Sequence, residues 1–379
     1  MINTPKEAIP KTKYSLMGYL FLICVCTFLV FGLLLPDKSI SEKERRHLHE
    51  LPTFQTESVL EGDYFSKLES YLLDHFPMRD QFRSVKNAFD LTFLQKKDAD
   101  GYFKIDGSLY ELPTEFHTEN ILSATNGFSE IMTTYFPSSN GYYCIIPDKT
   151  FYLSENHGYP RADYDKFITF IDENVHHNIK RIDISQKLTL EHYYSTDMHW
   201  RQEALPEIAA ILSASMSNTP IINSQSYGST LLSDNFYGGI SSASGLYPAP
   251  DKLICVSSSA IQTTTMYDYE VQAEVALYQT DKISGLDLYD VYLGGAKALL
   301  ELRSESEKSG KELVLFRDSF GSSIAPLLLE YYDKIYLVDL RYVSADSAMS
   351  LISPNADCDV LFLYSMDVLN SGSLRMKVV

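Results

Sequence analysis

Positive charge is short in this chain. Against 32 lysines and arginines stand 50 aspartates and glutamates, for a formal charge of −18. That balance argues against nucleic-acid binding, because a phosphate backbone demands a basic face. Cysteine is scarce as well. Of five, Cys24 and Cys26 lie in one apolar run, which leaves Cys144, Cys255 and Cys358, and three scattered thiols make no disulfide framework. The sequence carries no His-Glu-x-x-His, Cys-x-x-Cys or Asp-x-Asp-x-Asp-Gly pattern, and His176-His177 falls at the polar end of an expected helix, so no metal site is expected. It also has no Gly-x-x-x-x-Gly-Lys loop and no dinucleotide fingerprint, so no cofactor is expected. Internal repeats and low-complexity tracts are missing too. A chain of 379 residues has room for one domain of roughly 250 to 300 residues plus accessories.

Apolar length is present, at the start. Residues 14–35 (YSLMGYLFLICVCTFLVFGLLL) hold no charge and, at 1.5 Å per residue, suffice to cross a hydrocarbon core of about 30 Å. Leu33-Leu34-Leu35-Pro36 lacks the small residues of a signal-peptidase site, so the expectation is an uncleaved anchor with a cytoplasmic tail at residues 1–13. Lysines and arginines flank the run on both sides and do not set its orientation, but long domains translocate largely regardless of flanking charge. A charged spacer fills residues 36–60, and an extracytoplasmic domain is expected over residues 61–379.

That domain opens with a long helical region at residues 61–95, broken near Phe76-Pro77, with Tyr64, Leu68, Tyr71 and Leu72 at helical spacing. Asp106-Gly107 marks a tight turn between two strand-like pieces. Residues 142–147 (YYCIIP) read as a buried strand, 163–175 as an amphipathic helix, 181–184 as a short strand and 203–216 as a helix. About residues 221–285, rich in Ser, Gly, Thr and Tyr, read as an irregular β-rich insertion. Three short apolar runs follow, at residues 313–316, 334–340 and 359–364, with helical stretches at 323–332 and 344–351 between them. Runs this short and continuous are strands buried on both faces, and β-α-β-α-β alternation argues for a doubly wound α/β domain with a parallel sheet.

In such sheets ligands sit at the carboxyl ends of the strands. Ser319 lies just past one of them, before a helix whose N–H groups are available to an oxyanion, where acyl chemistry wants a nucleophile. Asp318-Ser319 is equally an ordinary helix cap. A catalytic serine also needs an imidazole and a carboxylate that orients it, and Asp197-Met198-His199 supplies both types. Trp200, the one tryptophan, would wall the pocket; against that, Asp197 would cap the next helix and Trp200 anchor the core.

Residues spread along the chain then form an ordered set: Ser41, Glu44, Arg46 and Leu48; Tyr71, Asp74, Phe76, Pro77, Arg79 and Asp80; Ile146-Pro147-Asp148-Lys149; Thr196-Asp197-Met198-His199-Trp200; Asn235-Phe236-Tyr237-Gly238; Tyr289-Asp290 with Leu293-Gly294-Gly295; Arg317-Asp318-Ser319-Phe320; and Asp339-Leu340-Arg341-Tyr342. In this order and spacing the chain resembles the DHHW protein family and, more distantly, the alginate O-acetylation proteins with an SGNH-hydrolase-like domain. The resemblance implies an SGNH-hydrolase-like α/β fold in permuted order, with the Asp-x-His pair upstream of the serine, held outside the cell membrane by the single N-terminal transmembrane helix. It further implies O-acyl transfer, in the first place of acetyl, onto an envelope or exported polysaccharide. Ser319 would be nucleophile, His199 general base and then acid, and Asp197 the orienter. The N–H groups of Ser319 and Gly295, in the Gly294-Gly295 turn, would hold the oxyanion. A membrane-bound acyltransferase partner would supply the acyl group. An acetylesterase with the same triad, or a non-catalytic glycan-binding scaffold, are the alternatives. Two positions depart from the pattern: Met198 stands where Asp-His-His-Trp has its first His, and Ala296 where an Asn is expected after the glycines.

Overall fold

A computed structural model describes residues 11–41, 43–176, 178–217, 227–305 and 310–376, without the side chains of residues 11–15, Leu29, Leu33 and Ser217. Most of the expected tail (residues 1–10) and the start of the expected insertion (221–226) lie outside the described residues. The chain divides into two compact units, Met1–Phe89 and Asp90–Val379.

In the first unit all of the apolar run but its last residue, Leu35, lies in one helix of 24 residues, Lys11–Leu34. Among the described residues no helix is long and apolar enough to cross a membrane, so the anchor itself is not shown. The helical region breaks at the Phe76-Pro77 step into Asp63–Asp74 and Arg79–Thr92, with Met78 left-handed between them (φ 58°). Arg46 donates to both carboxylate oxygens of Asp74, while Arg79 and Arg83 donate to Glu44. The charged residues that carried the resemblance in this region thus form one ion network. The Arg46 hydrogen bond holds the Asp74 carboxyl well below the usual range against the opposing effect of burial.

The second unit is built on one sheet, eight-stranded among the described residues. In chain order its strands are β1 Asn140–Ile146, β2 Ile179–Arg181, β3 Thr264–Asp268, β4 Ala273–Val275, β5 Leu299–Ser304, β6 Glu312–Arg317, β7 Lys334–Val338 and β8 Asp359–Ser365. Across the sheet they run β4-β3-β5-β7-β6-β8-β1-β2. From β7 to β2 every pairing is parallel, whereas β4, β3 and β5 extend the edge antiparallel. Two expectations need correction here. The sheet is mixed rather than wholly parallel, and part of the expected insertion, β3 and β4, belongs to it. The reason is burial: Met266 on β3 and Leu300 and Leu302 on β5 are fully buried in the core on one face of the sheet.

Counted from β6, the parallel strands β6, β7, β8, β1 and β2 stand in the order 2-1-3-4-5, a common doubly wound arrangement entered at a different point of the chain. Strand residues alternate between two cores. Leu313, Leu315, Leu361 and Leu363 pack on one face with the helices Pro206–Ser217 and Gly321–Leu328. Val314, Phe316, Val360 and Phe362 pack on the other with Thr118–Tyr135 and Tyr164–Asn174. Period-two side chains buried on both faces are why these strands read as continuous apolar runs. Outside the sheet, Asp106 (φ 48°) and Gly107 (φ 88°) make the tight turn of the hairpin Tyr102–Ile105/Ser108–Glu111, and Gly228–Phe236 pairs with Asp251–Ser257 in a second hairpin.

Candidate active site

β6 lies between β7 and β8, and the helix that follows it packs on the opposite face from the helix that follows β7. This is the point of an open sheet where connections diverge and a crevice forms. The chain leaves β6 through Asp318 and Ser319 and enters the helix at Gly321, where any Cβ would stand 2.6 Å from that of Arg317. Asp318 is fully buried. It accepts the Phe320 N–H at 3.0 Å and the Ser365 N–H at 2.7 Å, tying the turn to the end of β8. Asp318 thus braces the turn, and the helix Gly321–Leu328, with Phe320 at its N-cap, has no side-chain cap. The Ser319 hydroxyl caps no helix and instead meets His199 Nε2 at 2.8 Å.

His199 arrives on a tight loop closed by the bridge between Tyr193 and Trp200. Asp197 Oδ1 stands 2.6 Å from His199 Nδ1 and accepts the His199 N–H at 2.8 Å, while Oδ2 accepts the Gly239 N–H. With Nδ1–H directed at the carboxylate, Nε2 is the nitrogen left to accept from Ser319. A Cβ on Gly238 would fall 2.1 Å from Asp197, so the glycine of Asn235-Phe236-Tyr237-Gly238 is what admits the carboxylate. Asp197, buried and turned to the imidazole, caps no following helix; the next short helix starts from Arg201.

Support for this loop comes from two residues that sequence reasoning did not single out for a role. Asp251, from the second hairpin, accepts the N–H groups of Ser195 and Thr196 at 2.9 and 2.8 Å and the Thr196 hydroxyl at 2.6 Å. Lys149, 4% exposed, donates to the carbonyls of Tyr194 at 2.6 Å, Leu109 at 2.9 Å and Ser195 at 3.3 Å. Burial pulls the Lys149 ammonium down to about 8, with Asp251 and Asp197 opposing the drop. Lys149 had a sequence signal, its place in Ile146-Pro147-Asp148-Lys149. Asp251 had none, because nothing local marks a carboxylate that serves a loop more than fifty residues away.

Trp200 is fully buried and does not wall the site. Its Nε1–H donates to the Phe320 carbonyl at 3.0 Å and to Ser323 Oγ at 2.8 Å, pinning the start of the helix that follows Ser319. The imidazole is covered by Tyr289, stacked at 4.1 Å between ring centroids, and by Phe320 at 4.8 Å. Gly294 (φ 77°) and Gly295 (φ 85°) form a left-handed turn, and a Cβ on Gly295 would stand 2.3 Å from Asp290 Oδ1. Among the described residues this turn makes no hydrogen bond to the triad, and the Gly295 N–H points to the Tyr292 carbonyl at 3.3 Å. The Ser319 N–H meets no acceptor among the described residues. Behind the serine turn, Asp339 is paired with both Arg341, at 2.6 Å, and the buried Arg317, at 3.4 Å. Among the described residues no three His, Cys, Asp or Glu side chains come together as a metal site.

No protein-family model matches the sequence, and no curated protein matches it. Solved structures do. A DHHW family protein from Eubacterium siraeum DSM 15702 is 19% identical, with a TM-score of 0.55 over 73% of this chain and 95% of that one. Bacillus cereus PatB1, determined with a sulfonyl adduct, is 17% identical, with a TM-score of 0.58 over 73% of this chain and 98% of that one. The O-acetyltransferase domain of Pseudomonas putida AlgJ is more distant, at 12% identity and a TM-score of 0.42. The resemblance read from the sequence is thereby met in the fold, which is similar to that of a DHHW family protein and of PatB1.

Proposed function

We propose that the protein is a serine O-acyltransferase that moves an acyl group, in the first place acetyl, onto a hydroxyl of an envelope or exported polysaccharide. The observation that carries the reading is the unbroken line from Ser319 Oγ to His199 Nε2, 2.8 Å, and from His199 Nδ1 to Asp197 Oδ1, 2.6 Å, at the carboxyl edge of the sheet. His199 takes the Ser319 proton as Oγ attacks the acyl carbonyl; Asp197 holds the imidazole in the needed tautomer and stabilises the imidazolium. The unpartnered Ser319 N–H is the first oxyanion donor. A second from the Gly295 N–H requires its 3.3 Å bond to Tyr292 to yield. His199 protonates the leaving group, then takes the proton of the acceptor hydroxyl as that oxygen attacks acyl-Ser319, and finally returns it to Oγ. The sulfonyl adduct held by PatB1, a protein of similar fold, fits this reading because sulfonyl groups are captured by activated nucleophiles.

In the same reading the Lys11–Leu34 helix anchors the chain, the second unit lies outside the cytoplasmic membrane, and a membrane-bound acyltransferase partner delivers the acyl group. The test is chemical. Mixed with 4-nitrophenyl acetate, the protein should release a burst of nitrophenolate and gain one acetyl on Ser319. Both should vanish in Ser319→Ala, and the rate should fall by about 10⁴-fold in Asp197→Asn, which favours the wrong tautomer. A transferase deacylates faster when acceptor glycan is added, whereas an esterase turns over fully in buffer. If Ser319 stays unmodified by acetyl esters and by sulfonyl fluorides alike, the reading fails.

A further inference from the structure

The triad accounts for one crevice at the carboxyl edge of the sheet, yet the edge continues. The Ser319 turn follows β6, the helix Met366–Ser371 follows β8, and Asp148 follows β1; β8 is the direct neighbour of both β6 and β1. Beside the ends of β8 and β1 opens a cavity of about 280 Å³, whose lining includes Thr114, Phe116, Asp148, Arg161, Lys166 and Asp367. Neighbouring strands lie about 4.8 Å apart, so the cavity begins roughly one strand spacing from the strand that delivers Ser319. Its volume is near the lower end of small-molecule pockets, roughly 300 to 1,000 Å³.

The polar groups of this lining are unevenly matched. Its cations are engaged: Arg161 donates to the Phe151 carbonyl at 2.7 Å and to Glu155 at 3.3 Å, and Lys166 Nζ lies 4.8 Å over the Phe116 ring. Its carboxylates differ: Asp148 accepts the N–H and hydroxyl of Thr150 and is also held by the Lys149 N–H, whereas among the described residues nothing donates to Asp367. Burial, with Asp148, Glu111 and Asp318 nearby, pushes the Asp367 carboxyl up to about 7. A half-buried carboxylate without a donor, Asp367, calls for a ligand that brings hydroxyls.

We propose that this cavity is an acceptor subsite: it seats the sugar ring next to the one presented to Ser319, with hydroxyls of that ring donating to Asp367 and Asp148. The proposal rests on the acyltransferase reading. It gives Asp367 a binding function and leaves acylation of Ser319 to the triad.

The experiment uses the full chain, 4-nitrophenyl acetate as donor, and as acceptor the polysaccharide extracted from cells in which the protein carries Ser319→Ala. Two variants are compared with the wild type: Asp367→Asn, which keeps the shape and removes the charge, and Ala162→Phe, which fills the cavity. Both should acylate Ser319 at a rate within about twofold of wild type, while KM for the polysaccharide rises about fivefold or more and kcat changes little. An unchanged KM in Asp367→Asn and Ala162→Phe, with the burst intact, overturns the subsite and leaves the acyltransferase reading standing. Should Ala162→Phe lose the burst, Asp367→Asn decides by the same criterion. A wild-type acetyl-enzyme that the polysaccharide does not hasten overturns the underlying reading itself.

Discussion

Asp197 and Gly238 show how far the chemistry depends on single atoms. The carboxylate sits where only a hydrogen on the neighbouring Cα leaves room, so the glycine contributes by being small and touches nothing that reacts. Two other carboxylates, unlike each other, make the electrostatics testable. Asp74 is held low by its Arg46 hydrogen bond, so the stability it contributes is complete above its unfolded value near 3.8 and is lost as pH falls below that. Asp367 is pushed up from 3.8 to about 7, so the folded state holds its proton more tightly and stability is lost as pH rises between those values. Asp74→Asn should therefore lower the melting temperature near pH 7, with the difference closing at about pH 3 and below. Asp367→Asn should raise it near pH 8 and leave it unchanged near pH 4. A melting-temperature difference with the opposite pH trend in either variant would refute the assignment.

At the scale of elements, the hairpin Gly228–Phe236/Asp251–Ser257 buttresses the histidine loop, chiefly through Asp251 and also through Phe236, whose carbonyl accepts from the Thr196 hydroxyl at 3.4 Å. Asp251→Ala removes three hydrogen bonds from residues 195 and 196 and leaves the triad untouched. Acylation of Ser319 should slow by about 10²-fold, because small misplacements of a positioned base are costly, while binding of a sulfonyl fluoride before reaction changes little. Rapid-mixing kinetics separate the two. What the sequence displayed of these elements follows their physics. The runs at 313–316 and 359–364 were legible because both faces are buried, and Asp106-Gly107 because a left-handed pair is needed there. β5 was not: in Leu299–Ser304 a charged Glu301 interrupts the apolar residues, and its antiparallel partner β3 lies outside the β-α-β rhythm. The pair Asp197 and His199 was legible with Ser319 by residue type and order. Trp200 was ambiguous between wall and anchor because an indole serves either, and only its buried N–H bonds decide for the anchor.

For the whole molecule, the order of the strands matters more than their number. β1 and β2 are made before the histidine loop, β6 and β7 after it, and the two groups touch through β8, which lies between β6 and β1. Without β8, the facing edges would be two spacings apart, about 10 Å, and Asp318 would lose the Ser365 N–H that steadies the serine turn. A chain ending at residue 358 should show no cooperative unfolding of the second unit and no nitrophenolate burst, whereas cooperative melting in that chain would mean that the two strand groups close without their bridge. Among the described strands the keystone of the sheet, β8, is thus also the last in chain order. In the acyltransferase reading, a product cut short before β8 carries no working serine and a nascent chain stays chemically silent until β8 has been made: the order of synthesis itself acts as the timer of the reaction.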